Sequence, residues 1–353
     1  QTKRSSMSTM DARRFKLVDM HCHLDRMCNA ADVAREAAAR GIGIFCATVT
    51  PQDAILAQKT FANCENVRVG VGLHPWWVAN DRVLARAGTR GEASADNRIS
   101  TGVDSDGALI AHGQTPARPN ACGPADAPAH SVDAGTRIFT GTEGARPTNI
   151  ASQSSTAGNL CSCTERTLDS VDAICRVANL AAASPYIGEV GLDFSPAHVQ
   201  TRSMQLEAFE RIVRTCAENP CGARVVSIHA VQAAREALDI LERHALTRSA
   251  TCVFHWFSGT SDDFLRLRRL GCCVSVNNRM LATRRGREYA RQMPDDRLLL
   301  ETDAPGQFDA PYSASELEAS LMRTLCALAR LRGADEHELA SRIAQASAGL
   351  LGL

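Results

Sequence analysis

The sequence predicts an α/β protein, a (β/α)8 barrel of the TIM type. Short apolar runs alternate with longer amphipathic runs along most of the chain. The apolar runs are continuously hydrophobic, as in parallel strands covered on both faces. Eight such strand-and-helix units can be read, the number that closes a barrel, with an open doubly wound sheet as the competing arrangement.

The elements follow in order. Leu17–His23 is a β-branched and apolar run, and Ala31–Arg40 carries Ala, Val and charge at helical spacing. Ile42–Val49 reads as a strand, Asp53–Cys64 as a helix and Val67–Leu73 as a third strand. After an interruption the alternation resumes with a helix at Leu168–Ala183 and a strand at Ile187–Leu192. The helix Met204–Ala217 presents Leu206, Phe209, Ile212 and Val213 on one face. Strands Val225–His229, Cys252–Trp256, Cys272–Val276 and Leu298–Thr302 are then separated by helices Ala233–His244, Asp262–Leu270 and Arg284–Gln292. Helices Glu316–Arg332 and Glu336–Leu351 close the chain.

The interruption is the stretch from about Asn80 to Thr167, rich in Ala, Gly, Ser, Thr, Asp and Pro, with Phe139 its one aromatic residue. So few large apolar groups do not offset the entropy of ordering the chain. The expectation is a disordered or loosely folded insertion over about 85–165, after the third strand, within a single domain spanning 15–353. The polar segment from Gln1 to Arg14 lacks the apolar centre of a secretory signal and reads as a flexible leader.

Composition excludes some function classes. No run approaches the length of a membrane span. The 39 basic and 39 acidic residues cancel, so contact with nucleic acid is expected to be local to a cleft and not spread over a basic face. The basic residues are nearly all Arg, with Lys only at Lys3, Lys16 and Lys59. The 14 cysteines are scattered, many in strand-like runs, which suits reduced, buried thiols and a cytoplasmic protein. Cys161 and Cys163 form a tight pair without a second pair at zinc-site spacing.

The chemistry collects at strand ends. His21 and His23 stand two apart in VDMHCHLD and so point to one face. Glu189 lies in IGEVGL, His229 ends VVSIH, His255 ends VFH and Asp303 ends LLLETD. Charged or imidazole groups at such places are costly to bury alone, and in a barrel these ends converge on one mouth. Four His and two carboxylates there predict a two-metal hydrolytic site. The donor set suits Zn²⁺, Mn²⁺ or Fe²⁺, with Mg²⁺ favoured more by all-oxygen ligands. Glu189 is expected to bridge two ions, His21, His23 and Asp303 to complete one, and His229 and His255 the other. Glu189 and Asp303 are the catalytic carboxylates, with Asp303 as general base.

Substrate contacts are expected from His74 in GLHP, from Trp256 and Ser258 after the sixth strand, and from Arg279 past the seventh. Trp256 and Phe257 offer a stacking surface, and Asp25 a group to orient an imidazole.

The segments VDMHCHLD, GLHP, IGEVGLD, SIHA, FHWFSG and ETDAP, in that order, resemble the TatD family of metal-dependent deoxyribonucleases within the amidohydrolase superfamily. The resemblance implies a TIM barrel, divalent metal on His21, His23, Glu189, His229, His255 and Asp303, and hydrolysis of DNA phosphodiesters, often exonucleolytic; together with the metal set it points to DNA single strands or 3′ ends as substrate. Ala230 and Val231 stand where many relatives carry Arg, and HWFSG where HCFSG is commoner, which bears on substrate choice. ATVTP, FHWFSG and SVNNRMLATRRGR resemble the branch found in Qat antiphage systems, implying protein partners in a defence complex. A hydrolase of small esters, lactones or amides is the alternative that the neutral charge favours.

Overall fold

The computed structural model describes residues 15–79 and 161–353, without side-chain detail for 161–171. The expected leader and nearly all of the expected 85–165 insertion lie outside the described residues.

Among the described residues, eight parallel strands form one sheet in chain order. They are β1 (Leu17–Cys22), β2 (Ile42–Ala47), β3 (Val67–Leu73), β4 (Tyr186–Asp193), β5 (Arg224–Val231), β6 (Ala250–His255), β7 (Cys273–Val276) and β8 (Leu298–Leu300). The helices are α1 (Ala30–Ala39), α2 (Pro51–Thr60), α3 (Cys161–Ala183), α4 (Arg202–Glu218), α5 (Ala234–Arg243), α6 (Ser261–Arg269), α7 (Asn278–Ala282), α8 (Arg284–Gln292), α9 (Ala314–Arg332) and α10 (Glu336–Leu351). The chain is a TIM barrel, as its alternating pattern predicts. Helix α3 begins earlier than expected, and α7 was not foreseen.

Local chemistry sets the helix starts, one or two residues ahead of those expected for α2, α6 and α9. Thr50 caps α2 ahead of Pro51 at its first turn. Thr260 with Asp263 and Ser313 with Glu316 form reciprocal capping boxes for α6 and α9, and Gly333 ends α9 in the left-handed conformation. The fully buried Arg224 at the foot of β5 donates to the carbonyls of Ala181, Ala182 and Ser184 and to those of Cys216 and Asn219. One guanidinium thereby ties the ends of α3 and α4 to the sheet.

The core has two parts. A larger cluster fills the space between strands and helices. A smaller one holds Val18, Met20, Phe45, Val225, Val253, Cys273 and Leu299 together with Ala348 and Leu351 of α10. Arg68 and the Tyr186 hydroxyl donate to the carbonyl of Leu351. The end of α10 therefore covers the N-terminal mouth, and the polar strand ends meet at the opposite one.

Register irregularities fall beside those polar ends, between Asp19 and Cys22 in β1 and between Ile187 and Glu189 in β4. Bulges of this kind re-aim side chains. Gly191 has φ +145°, and a Cβ there would stand 2.0 Å from the carbonyl oxygen of His229. Only glycine lets β4 and β5 approach this closely where Glu189 and His229 meet.

Candidate metal centre

The first and last strands are joined by side chains as well as backbone. Asp19, buried in β1, accepts from the Thr302 amide at 3.0 Å, the Thr302 hydroxyl at 2.5 Å and the His21 amide at 3.2 Å. Burial pushes its carboxyl up to about 7 against the pull of these donors. The Asp303 amide donates to the His21 carbonyl at 2.9 Å, and the His23 amide to that of Ala304 at 2.7 Å. The structure corrects the expected eighth strand here: β8 stops at Leu300, and Asp303 sits beyond it with φ +57°. A left-handed turn, not strand direction, aims its carboxylate into the mouth. His229 likewise lies inside β5, two residues short of its end.

Glu189 is the centre of the cluster. Its Oε2 lies 3.5 Å from His21 Nε2 and 3.3 Å from His23 Nε2. Its Oε1 lies 2.9 Å from His229 Nδ1, 3.0 Å from His255 Nε2 and 3.2 Å from His74 Nε2. Asp303 Oδ1 completes the first side, 3.4 Å from His23 Nε2 and 3.9 Å from His21 Nε2. The two oxygens of one buried carboxylate thus face two groups of imidazoles. His21, His23 and Asp303 are close enough to share one ion, as are His74, Glu189 and His229. The His21 and His255 rings stack at 4.0 Å.

The hydrogen bonds suit metal ligation. His21 Nε2 is buried without a hydrogen-bond partner, facing two carboxylates just beyond bonding distance, while its Nδ1 lies 2.7 Å from Ser227 Oγ. His23 Nδ1 donates to the Ala47 carbonyl at 2.8 Å, which leaves Nε2 free of a proton in the neutral ring. An orphaned ring nitrogen and a bare one, aimed at the same two carboxylates, fit a divalent ion. His74 is different. Its Nδ1 accepts from the Trp76 amide at 3.2 Å, so the neutral ring carries its proton on Nε2 toward Glu189. That makes it a better donor than ligand, despite its place in the cluster.

The electrostatics follow from burial and pairing. Burial lowers His21 and His74 to about 4. Burial also opposes charge on His23, but its hydrogen bond to Asp303 and the charges of Glu189 and Asp303 outweigh it, raising His23 to about 9. Burial would raise Asp303 and Glu189, yet the surrounding imidazoles hold Asp303 at about 2 and Glu189 well below its usual range.

Further out, Glu301 is fully buried and accepts from Ser275 and, at 2.7 Å, from Asn277; its Oε1 is 3.8 Å from His255 Nδ1. Asp193 Oδ2 lies 3.4 Å from His229 Nε2. Neither residue, nor Asp19, was singled out from sequence. Asp19 and Glu301 carry the only available signal, a carboxylate inside an otherwise apolar strand run.

The expected substrate residues divide. Arg279 lies over the Trp256 ring at 5.6 Å, with Nη1 3.9 Å from Asp303 Oδ2. Trp256 and Ser258 line a cavity of about 310 Å³ together with Thr283, Arg284 and Arg285. Phe257 borders the same cavity but is only 2% exposed, its ring packed against Phe254, Phe264 and Tyr289. Asp25 does not orient an imidazole. It accepts from the Cys46 thiol and pairs with Arg26, while His23 Nδ1 is satisfied by Ala47. The cysteines whose side chains are described are free, and no described helix is long and apolar enough to cross a membrane.

A family model for TatD related DNase matches residues 18–352. The 3′-5′ ssDNA/RNA exonuclease TatD of Pantoea vagans is 33% identical over 167 residues, covering 45% of this chain and 62% of that protein. The deoxyribonuclease Tat-D of Schizosaccharomyces pombe is 30% identical over 132 residues, covering 36% and 41%. The chain thus spans less than two thirds of the length of these curated relatives. Among solved structures, the TatD homologue YJJV of Escherichia coli K12 superposes with a TM-score of 0.59 at 17% identity, covering 96% of this chain and 98% of its own. An uncharacterized amidohydrolase of Saccharomyces cerevisiae gives 0.54 at 14%, covering 95% and 99%. At such identities the likeness is one of fold.

Proposed function

The chain belongs to the family of TatD-related DNases, and from that premise we propose that it is a metal-dependent hydrolase of phosphodiester bonds in single-stranded DNA, working from strand ends. The observation that carries this reading is Glu189, whose two carboxylate oxygens are divided between His21 and His23 on one side and His229 and His255 on the other. That is the arrangement a carboxylate bridging two ions requires.

Two divalent ions, Zn²⁺, Mn²⁺ or Mg²⁺, would be held by His21, His23, Glu189, His229, His255 and Asp303. When bound, such ions polarise a phosphoryl oxygen and lower the pKa of water. The chain's own groups do the rest. Asp303 is ionised, and its side chain, 17% exposed, is more open than that of Glu189 at 3%. It accepts the proton of the attacking water. His74 directs its N–H at Glu189 and so positions that carboxylate beside the reacting phosphate, and Arg279, beside Asp303, neutralises a non-bridging oxygen. Trp256 and Ser258 contact the strand beyond. A cytoplasmic location suits a nucleic-acid substrate and free thiols.

The test is degradation of 3′- and 5′-labelled single-stranded oligonucleotides with and without chelator, run beside small esters and lactones. Chelator-sensitive release of nucleotides, lost in Asp303→Asn, supports the proposal. Turnover of an ester or lactone with intact oligonucleotides would sink it in favour of a small-molecule amidohydrolase, the reading that zero net charge favours. Membership of an antiphage complex rests on motif resemblance alone, and co-purification with genomic neighbours tests it.

A further inference from the structure

We propose that Trp76 and His198 form a shelf at the barrel mouth on which the nucleobase next to the reacting phosphodiester stacks. The inference rests on the nuclease reading above and assigns it a base-binding subsite.

Trp76 lies in a short turn after β3, directly beyond His74. Trp76 is 47% exposed, one of four exposed large hydrophobic residues and the one aromatic residue of that set among the described residues. Exposure here does not mean freedom. The indole N–H donates to Asp193 Oδ2 at 2.6 Å, and the ring stacks on His198 with centroids 4.5 Å apart and 15° between planes. The anchors are themselves fixed. Asp193 is buried, and fully buried Gln205 accepts from the Asp193 amide at 2.7 Å while donating to the His198 carbonyl at 2.9 Å. A surface aromatic with its polar atom satisfied and its plane locked offers a π face to a planar ligand at little further entropic cost.

Its position selects the ligand. The Trp76 ring lies 4.8 Å from His74 and 6.3 Å from His229, so a ring on the shelf is adjacent to a group held at Glu189. In a single strand, the planar group adjacent to a phosphodiester is a base. Stacking tolerates any base, and it is strong enough to set affinity where the chain as a whole carries no basic excess.

The experiment measures kcat and KM for wild type, Trp76→Ala and Trp76→Phe on a single-stranded oligonucleotide and on the same strand with abasic residues at both ends. Wild type should prefer the intact strand by about 10- to 100-fold in kcat/KM, mainly through KM. The preference should fall close to one in Trp76→Ala and survive largely in Trp76→Phe, which keeps a ring but loses the N–H. Indole fluorescence of the wild type should quench on adding the intact strand and not the abasic one. A preference retained in Trp76→Ala, or absent in wild type, overturns the shelf alone, because a residue that merely props Asp193 acts on both strands alike. Cleavage of neither strand by wild type overturns the nuclease reading and the shelf with it.

Discussion

The Asp303 amide donates to the His21 carbonyl at 2.9 Å, so the turn after the last strand meets the first strand at two residues of the candidate metal centre. Closing the barrel and aiming Asp303 are one event. The clasp is completed by Asp19, which accepts from both the amide and the hydroxyl of Thr302. Thr302→Val removes the hydroxyl and leaves a buried carboxylate oxygen unpaired, at a cost of about 1–3 kcal/mol. The denaturation midpoint should fall accordingly, and bound metal should fall with it. An unchanged midpoint would mean that the clasp contributes nothing to closure.

Ser227 isolates the role of a group that touches a ligand without facing the ions. Its Oγ is 2.7 Å from His21 Nδ1 and fixes that ring. Ser227→Ala should weaken metal binding by about 10- to 100-fold with little loss of stability. Competition with a chromophoric chelator measures it. Affinity equal to wild type would show that the stacked His255 ring and the backbone suffice to hold His21.

In the metal-free chain, the histidines of the cluster should pull stability down on either side of about pH 6.5. His23 is raised to about 9, so what it contributes is present below its ordinary value of 6.5 and lost as pH climbs to about 9. His21 and His74 are lowered to about 4, so their contribution is present above 6.5 and lost as pH falls toward 4. Thermal melts from pH 4 to 9 should trace both limbs, and His23→Asn should weaken the alkaline one, to which His229 and His255, both also raised, contribute as well. Metal loading at neutral pH should also displace a proton from His23, read by calorimetry in buffers of different ionisation enthalpy. A flat profile between 6.5 and 9 would show that His23 is not held as a cation.

Arg279 is exposed enough to meet solvent-borne phosphate, with 44% of its side chain open. Arg279→Ala should raise KM for oligonucleotides and lower the slope of log affinity against log salt by roughly one. A salt slope that does not change would place Arg279 outside the strand's path.

Much of this was legible beforehand because it is periodic or local. The alternation of apolar and amphipathic runs has one compact solution, and polar residues ending apolar runs need partners that a barrel mouth supplies. What was not legible depends on distant pairs. Asp19 meets Thr302, and Glu301 meets Ser275 and Asn277, across strands far apart in sequence. Trp76 looks from sequence like one of two adjacent tryptophans; only the position of Asp193 and His198 separates it from Trp77. Asp25 misled for the same reason: nearness in sequence to a ligand says nothing of which way a side chain turns once a strand has ended.

The most direct test is metal content by mass spectrometry after loading with Zn²⁺ or Mn²⁺, on wild type and Glu189→Gln. A bridging carboxylate requires about two ions per chain in the wild type and about one or fewer in the variant. A wild type that holds no metal under any loading condition, or a variant that holds as much as the wild type, would contradict the account.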